Sequence, residues 1–345
     1  MPFTIARRPS NCSLDHAITS VREHCLEFQM SEIELGLLIG QGSTANVYRA
    51  RCRGIECAAK ILKNKGEENS QEYKDMVVEL FMLSRVGKHP NLVQFYGACV
   101  SDMRCPILVL ELMEGQDLEN FLAQKSPGFN LGKPTVYNWS LDILSALDFL
   151  HNQNPIIMHR DVKPANMLLS PCKTVLKLSD FGLAKAMARD ERMLAAHKGN
   201  TGTPRYMAPE ILTGGETALY TEKADIYSAS LVIWYLLTGK RPEIDVRQDP
   251  RGRPLTVIAR WRWRKVSNLL ELMWSHQVRR HPSRRHHHQR CYLLRAAPHA
   301  PHAPYVLRVA GGSGWFESSS FPCILHYNGA GAGHELGFYA NEYEA

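Results

Sequence analysis

The chain has 345 residues, of which 44% are hydrophobic and 22% charged, as is typical of a soluble globular protein with two cores or one two-lobed core. No stretch approaches the roughly 20 apolar residues of a membrane span, and MPFTIARRPSNCSLD lacks the apolar segment of a secretory signal. Nine cysteines without C-x-x-C spacing argue against a disulfide framework or a zinc site. They favour a reducing compartment, the cytoplasm or the nucleus.

The positive charge is concentrated in one part of the chain. Residues 241–310 contain 15 Lys and Arg against 4 Asp and Glu, so the formal net charge of +7 divides into +11 there and −4 elsewhere. Composition favours a solvated basic stretch, because no zinc-finger or RNA-recognition signature accompanies it, and we expect no nucleic-acid partner. The alternative is a nucleic-acid or anionic-membrane surface, whose binding would weaken steeply with salt.

The first half of the chain predicts a small β-rich lobe. After an N-terminal extension, residues 1–31, in which EHCLEFQM is a short candidate helix, an antiparallel meander is predicted from IELGLLIG, ANVYRARC and IECAAKIL. In the following helix Met76, Glu79, Leu80 and Leu83 share one face, so Glu79 needs a partner. NLVQFYGACV and CPILVLELM supply two more strands.

The second half predicts a larger helical lobe. Helices are expected at GQDLENFLAQK and YNWSLDILSALDFLHNQ, and ADIYSASLVIWYLLTG is apolar nearly all round, as in a buried central helix. The predicted fold class is therefore α+β, with an N-lobe at 32–112 and a C-lobe at 113–283. Residues 284–345, with RRHHHQR, APHAPHAP and GAGAG, show no sustained period and predict a poorly ordered tail.

Two motifs in the C-lobe carry the residue types that phosphoryl transfer needs. HRDVKPAN supplies Asp161, which can accept a hydroxyl proton, Lys163, which can neutralise phosphate, and Asn166, whose amide can hold a metal ion. Fourteen residues further on, DFG adds the carboxylate of Asp180. Each motif alone occurs by chance, whereas their order and spacing together indicate one active site.

The N-lobe adds a candidate nucleotide clamp. Gly40–Gly42 lies between two strands, where backbone N–H groups can cover phosphates, and Val47 can cover a flat base. Lys60 would hold the α and β phosphates, with Glu79 fixing its ammonium group. Taken separately, Lys60 and Glu79 would also suit solvated surface positions. Their occurrence in one chain with HRDVKPAN and DFG favours a role in the nucleotide site.

These motifs resemble the eukaryotic protein kinase family over residues 32–283, and GTPRYMAPE is similar to the end of that family's activation segment. The resemblance implies a bilobal kinase fold, ATP and Mg²⁺ as cofactors, Asp161 as catalytic base and Lys163 as phosphate neutraliser. It further implies Asn166 and Asp180 as metal ligands, and Asp225 as the acid of the central C-lobe helix.

The resemblance extends to the adenine site, in ILVLELMEGQDL. It implies that Leu110 is the gatekeeper, that Glu111 and Met113 make backbone contacts, and that Asp117 meets the ribose. Ala58 and Leu168 would sandwich the adenine. The whole set of implied nucleotide contacts is Ile39, Gly40, Gln41, Gly42, Val47, Ala58, Lys60, Leu110, Glu111, Met113, Asp117, Leu168 and Asp180.

Lys163 and Thr203 resemble their counterparts in serine/threonine kinases, and IELGLLIGQGSTANVYRARCRGIECAAKIL resembles the tyrosine-kinase-like group, which is mainly Ser/Thr-specific. We therefore expect protein substrates with Ser or Thr acceptors. Arg160 is expected to bind a phosphate on the activation segment, with Thr201 as its acceptor. Thr203 is expected to meet Asp161 and Lys163 instead.

Ala45 and His281 are among the residues that depart from the family's pattern. Ala45 replaces the third loop glycine and restricts close approach of the backbone. His281 stands where an arginine normally pairs with Glu210, and a neutral imidazole forms no bidentate pair. Arg279 or Arg280 is an alternative partner, and otherwise the lower lobe is expected to be marginally stable.

The sequence thus predicts an ATP-dependent protein serine/threonine kinase of undetermined substrate and oligomeric state. A pseudokinase scaffold, which binds nucleotide without efficient transfer, is the alternative. The altered C-lobe favours that alternative, whereas no catalytic residue is missing.

Overall fold

The computed structural model describes residues 14–42, 44–63, 70–102, 105–125, 131–187, 202–214, 221–245, 270, 273, 291–295, 305–309 and 335–337. The chain divides into two units, residues 1–244 with 254–256 and residues 245–253 with 257–345. Every predicted site residue that is described lies in the first unit.

The first unit begins with a six-stranded sheet and two helices. Its elements are α1 (Leu14–His24), β1 (Leu26–Glu27), β2 (Ile33–Gln41), β3 (Ala45–Cys52), β4 (Ile55–Leu62), α2 (Gln71–Arg85), β5 (Phe95–Cys99) and β6 (Ile107–Leu110). The strand order is β1-β5-β6-β4-β3-β2, and only the β1–β5 pair is parallel. The predicted meander is therefore β2, β3 and β4.

Alternation along the strands builds the core of this lobe. Side chains of one sheet face, among them Cys57, Ala59, Ile107 and Val109, are buried together. Phe28, from the segment just after β1, is buried in the same cluster. Six cysteines are free thiols: Cys25, Cys52, Cys57, Cys99, Cys105 and Cys172.

Helix α2 forms where the sequence predicts it. Ser70 caps its first turn by accepting a hydrogen bond from the backbone N–H of Tyr73 at 3.2 Å. Its buried face includes Met76, Glu79 and Leu80, so an acid does lie on the apolar side of the helix. The short helix predicted at EHCLEFQM is wrong, because α1 ends at His24 and the chain then extends to pair as β1.

The remaining described part of the first unit is mainly helical. Its elements are α3 (Leu118–Ala123), α4 (Lys133–His151), β7 (Ile156–Met158), β8 (Met167–Leu169), β9 (Leu176–Leu178), β10 (Lys185–Met187), α5 (Pro209–Gly214) and α6 (Glu222–Thr238). Two antiparallel pairs, β7 with β10 and β8 with β9, lie near the predicted catalytic motifs. Most of α6 is buried, including Tyr227 and Trp234, as its apolar sequence predicts.

The predicted fold class is confirmed: a β-rich lobe is followed by a helical lobe, α+β overall. Among the described residues no helix is long and apolar enough to cross a membrane.

The second unit contains one antiparallel sheet in the order β11-β12-β13, formed by β11 (Cys291–Arg295), β12 (Tyr305–Val309) and β13 (Glu335–Gly337). The other residues of the tail lie outside the described part, so its predicted disorder stays a prediction.

Asp142 in α4 gives a testable pH dependence. Its Oδ2 accepts a hydrogen bond from Leu176 N at 2.8 Å, but burial raises its pKa from 3.8 to about 6. As the pH rises, the unfolded chain therefore loses this proton at a lower pH than the folded chain does. The contribution of Asp142 to stability falls as pH rises through about 6. Asp142→Asn keeps an acceptor without the charge, so we expect its melting temperature relative to wild type to be higher at pH 7.5 than at pH 4.5.

Thermal unfolding of the two proteins across that pH range, at constant ionic strength, makes the measurement. A melting-temperature difference that stays the same at every pH would contradict the assignment. A difference that grows toward acidic pH would contradict its sign.

Candidate active site

Lys60 of β4 and Glu79 of α2 are joined by a two-point ion pair. Lys60 Nζ lies 2.7 Å and 2.6 Å from the two carboxylate oxygens of Glu79. The same ammonium donates to Asp180 Oδ1 at 3.0 Å. The Lys60 and Glu79 side chains are only 16% and 4% exposed, which rules out solvated surface positions for both. One cation thus connects the sheet, α2 and the DFG segment.

These contacts keep Lys60 charged. Burial alone would lower its pKa, but the carboxylates of Glu79 and Asp180 outweigh burial and raise it above the ordinary value. Burial likewise opposes ionisation of Asp180, whereas the Lys60 ammonium holds the pKa of that carboxyl below its usual range. Lys60 therefore keeps a fixed positive charge, of the kind that binds phosphate.

Asp161 lies in the loop between β7 and β8, with both carboxylate oxygens engaged. Oδ2 is 2.6 Å from Lys163 Nζ and accepts a hydrogen bond from Asn166 Nδ2 at 3.0 Å. Oδ1 accepts a hydrogen bond from Thr203 Oγ1 at 3.1 Å. Three residues that the sequence singles out thus surround one carboxylate that is 8% exposed, and a carboxylate beside a cation can accept a hydroxyl proton.

The catalytic loop is tied directly to the DFG segment. Ser179, which precedes Asp180, donates its backbone N–H and its hydroxyl to Asn166 O at 2.9 Å and 3.0 Å. His159 is fully buried, with Nε2 at 2.9 Å from Ser179 O and Nδ1 accepting from Asp161 N at 3.3 Å. These partners suit a ring proton on Nε2. The positions of Asn166 and Asp180 are therefore set together.

The carboxylate of Asp225, in α6, binds the backbone of the HRD motif. Its carboxylate accepts hydrogen bonds from His159 N and Arg160 N, each at 2.8 Å, and contacts His151 Nε2 at 2.9 Å. Burial would raise the pKa of Asp225, but the bond to His151 and the surrounding donors lower it. Arg160 has a φ of 69°, uncommon for a residue other than glycine, and the bond from its N–H stabilises that conformation.

The predicted phosphate loop is the turn between β2 and β3. Gly40 pairs with Val47, Gln41 pairs with Asn46, and Gly42 N donates to Ala45 O at 2.9 Å. Ala45 is buried at the start of β3, so its methyl group is accommodated by the sheet. Ser43 lies outside the described residues. Ile39, just before the loop, is 49% exposed.

The predicted adenine site lies where the two lobes join. Ala58 of β4 pairs with Leu110 of β6 on the N-lobe side, and Leu168 of β8 forms a β-bridge with Asp117 on the C-lobe side. The Asp117 carboxylate also caps α3, accepting from Asn120 N at 2.8 Å and Asn120 Nδ2 at 2.6 Å. A carboxylate has further acceptor sites, so the ribose contact stays a prediction.

Glu111 anchors the segment between the lobes, a contact that sequence reasoning missed. Its carboxylate lies 2.6 Å and 2.8 Å from Lys177 Nζ of β9, and its backbone N–H donates to Gln94 O at 2.8 Å. Because that N–H is committed to the fold, the predicted adenine contact of Glu111 would use its carbonyl. Met113 follows in the same segment, without regular secondary structure.

Lys177 and His151 are the supporting residues that the sequence did not single out. Each lies next to buried apolar residues in an ordinary strand or helix pattern, so neither carries a signal of its own. Their partners Glu111 and Asp225 were noticed, but which residue would meet each of them was not. A buried acid without a local cation is the signal that would have prompted the search.

The pair Asn166 and Asp180 fits a divalent metal ion bound together with phosphates. Asn166 Nδ2 is used by Asp161, which leaves its amide oxygen as the group suited to a metal. In the described part of the chain no group of three or more His, Cys, Asp and Glu residues could hold a metal ion. A site of one or two carboxylates completed by phosphate oxygens is what Mg²⁺ commonly uses.

Two predicted residues cannot be placed. Thr201, the expected phosphate acceptor, and His281, the replacement for the arginine partner of Glu210, lie outside the described residues. The predictions that depend on them stay predictions. Thr203 is described, and its hydroxyl contacts Asp161 as stated above.

Comparison with known sequences shows which family the chain belongs to. The model of the protein kinase domain family matches residues 33–286. The serine/threonine-protein kinase STY46 of Arabidopsis thaliana is 34% identical over 264 residues, covering 74% of this chain and 43% of that protein. The dual specificity protein kinase shkA of Dictyostelium discoideum is 36% identical over 221 residues, covering 64% and 40%. Human mitogen-activated protein kinase kinase kinase 7 is 34% identical over 217 residues, covering 63% and 33%.

The family match spans well over half of the chain, and the chain belongs to the protein kinase family. The relatives also bear out the resemblance to the tyrosine-kinase-like group of serine/threonine kinases. The chain spans about two fifths of the length of the first two of these relatives.

Proposed function

We propose that the protein is an ATP-dependent protein kinase that transfers the γ-phosphoryl group to Ser or Thr hydroxyls of protein substrates. The observation that carries the proposal is the Asp161 carboxylate, with Lys163, Asn166 and Thr203 all bonded to it. This arrangement puts a proton acceptor beside a cation, as transfer from a phosphate ester to a hydroxyl requires.

Each residue has a proposed role. Asp161 accepts the proton of the attacking hydroxyl, while Lys163 offsets negative charge close to it. Lys60, oriented by Glu79, holds the α and β phosphates. Asn166 and Asp180 would hold Mg²⁺, which when bound neutralises charge on the phosphates. The adenine and ribose would contact the residues named above at the junction of the lobes.

We also propose how the chain is organised, where the protein acts and how it is activated. We assign the kinase domain to residues 32–283, between an extension at 1–31 and a tail at 284–345, and we assign the protein to the cytoplasm or nucleus. Phosphorylation of Thr201, read by Arg160, is the proposed activating event, because a guanidinium binds phosphate bidentately.

The first experiment incubates the full chain with ATP, Mg²⁺ and a generic basic protein substrate, beside an Asp161→Asn control. We expect phosphoserine and phosphothreonine to form only in the reaction with the wild-type protein, and no product to form when the metal is chelated. Peptide mapping of the same reaction tests Thr201, which should carry phosphate in the active protein.

The result also decides between the proposal and a nucleotide-binding scaffold. If wild type and Asp161→Asn both fold and bind ATP but transfer nothing, the protein is a pseudokinase. Phosphotyrosine beside phosphoserine would instead extend the acceptor class; the Dictyostelium relative shkA is named a dual specificity protein kinase.

A further inference from the structure

Residues 14–32 precede the family match, which begins at residue 33, yet they are built into the N-lobe. α1 packs along α2, with Val21 completely buried and Ser20 3% exposed. Ser84 of α2 donates its hydroxyl to Ser20 Oγ at 2.7 Å, and Cys25 Sγ lies 3.6 Å from Ser84 O. Among the described elements, α1 is the most extensive neighbour of α2.

The chain after α1 then joins the sheet. Leu26 and Glu27 pair in parallel with Gly97 and Ala98 of β5, and Phe28 N donates to Ala98 O at 2.9 Å. Phe28 is 4% exposed and belongs to the sheet's own core. These contacts anchor the end of α1 independently of α2.

Gly97 permits this pairing because it has no side chain. A Cβ atom at position 97 would lie 1.9 Å from Leu26 O, a distance that no side chain can adopt. The absence of a side chain therefore lets β1 approach β5, which is a reason for glycine that the kinase motifs do not supply.

α2 is consequently held on two sides. On one side α1 contacts Ser84, and on the other Glu79 reaches Lys60 at 2.6 Å. The ion pair needs α2 in one position, since the Glu79 carboxylate, which is 4% exposed, loses the Lys60 ammonium if the helix moves away from the sheet. We propose that residues 14–32 are a positioning element of the kinase, in which α1 and β1 hold α2 where Glu79 meets Lys60.

This inference rests on the proposed function, and its test uses readouts that do not need catalysis. In the full chain, Gly97→Ala blocks the approach of β1, and Ser20→Ala removes only the hydroxyl that Ser84 contacts. Gly132→Ala is the matched control, because its added Cβ would meet only Pro134 Cδ at 3.8 Å, an ordinary contact.

Three quantities are measured: hydrogen exchange of the α2 amides against those of α6, the dissociation constant for ATP, and kcat/KM. We expect Gly97→Ala to speed exchange in α2 but not in α6, and to lower kcat/KM about tenfold, as for a residue coupled to a site through packing. Ser20→Ala should act in the same direction with a smaller effect, and Gly132→Ala should change none of the three.

A double-mutant cycle separates positioning from general stability. Once Gly97→Ala has released α2, adding Glu79→Gln should lower kcat/KM only a little further. The effects of the two substitutions on kcat/KM should therefore be far from additive. Additive effects overturn the proposal. A lower melting temperature with unchanged α2 exchange, ATP affinity and kcat/KM of the folded protein also overturns it.

The design keeps the two hypotheses apart. If wild type transfers no phosphate, the proposed function fails, while α2 exchange and ATP affinity still decide the inference. If Gly97→Ala does not fold, Ser20→Ala decides it by the same readouts, and unchanged α2 exchange and ATP affinity in that variant overturn it.

Discussion

Asp161→Asn is expected to lower kcat for phosphoryl transfer by about 10²- to 10⁴-fold, the range that a positioned general base contributes. The amide keeps the size of the side chain but cannot take up the hydroxyl proton. It also loses the charge that faces Lys163 Nζ at 2.6 Å, so the lysine is no longer fixed. The ATP dissociation constant should change little, because Lys60 and the loop at Gly40–Gly42 lie in the other lobe.

Steady-state kinetics with a protein substrate, together with a nucleotide titration, measure both quantities. Asp142→Asn is the matched control, since it makes the same chemical change in the same lobe and its carboxylate bonds only to the fold. An Asp161→Asn protein with kcat close to that of wild type would remove Asp161 from the chemistry. Equal losses in the two variants would point to a general effect of the substitution on the C-lobe.

Lys60→Met is expected to damage both stability and nucleotide binding, by separable routes. The substitution leaves the Glu79 carboxylate, 4% exposed, without the ammonium that contacts both its oxygens. Removing one partner of a buried ion pair costs about 3–5 kcal/mol, less whatever is recovered when the remaining acid takes up a proton. Nucleotide binding falls because the cation proposed to hold the phosphates is gone.

The double variant Lys60→Met/Glu79→Gln separates these routes. With no charge left at either position, its free energy of unfolding should recover most of the loss seen in Lys60→Met, while ATP binding and kcat stay low. Urea unfolding and nucleotide titration of the four proteins in the cycle make the comparison. A double variant less stable than either single variant contradicts the ion-pair interpretation, and one that regains ATP binding contradicts the role of Lys60.

Local spacing was sufficient to predict most of the candidate active site. HRDVKPAN brings Asp161, Lys163 and Asn166 together because eight consecutive residues reach only a short distance, whatever the rest of the chain does. The meander and the face of α2 follow from periods of two and of 3.6 residues, which are also local. The residue types and their order were then enough to identify the family.

Other parts of the site depend on contacts between residues far apart in the chain. Lys177 with Glu111 and His151 with Asp225 are separated by 66 and 74 residues, and neither pair has a local pattern that selects it. EHCLEFQM was predicted as a short helix, but α1 ends at His24 and pairing with β5 extends the chain after it. Tertiary pairing overrides a short helical preference when it satisfies the backbone and buries Phe28.

The sequence by itself determined the kinase family, the two-lobed fold and the composition of the catalytic loop, since each follows from short motifs and regular periods. Only the tertiary structure decided that residues 14–32 pack on α2 and extend the sheet. Ser20 and Ser84 form a hydrogen bond although they are 64 residues apart in the chain. Position 97 has no room for a side chain because Leu26 O approaches it. Such contacts are selected by the packing of whole elements, which depends on burial and shape and not on local sequence.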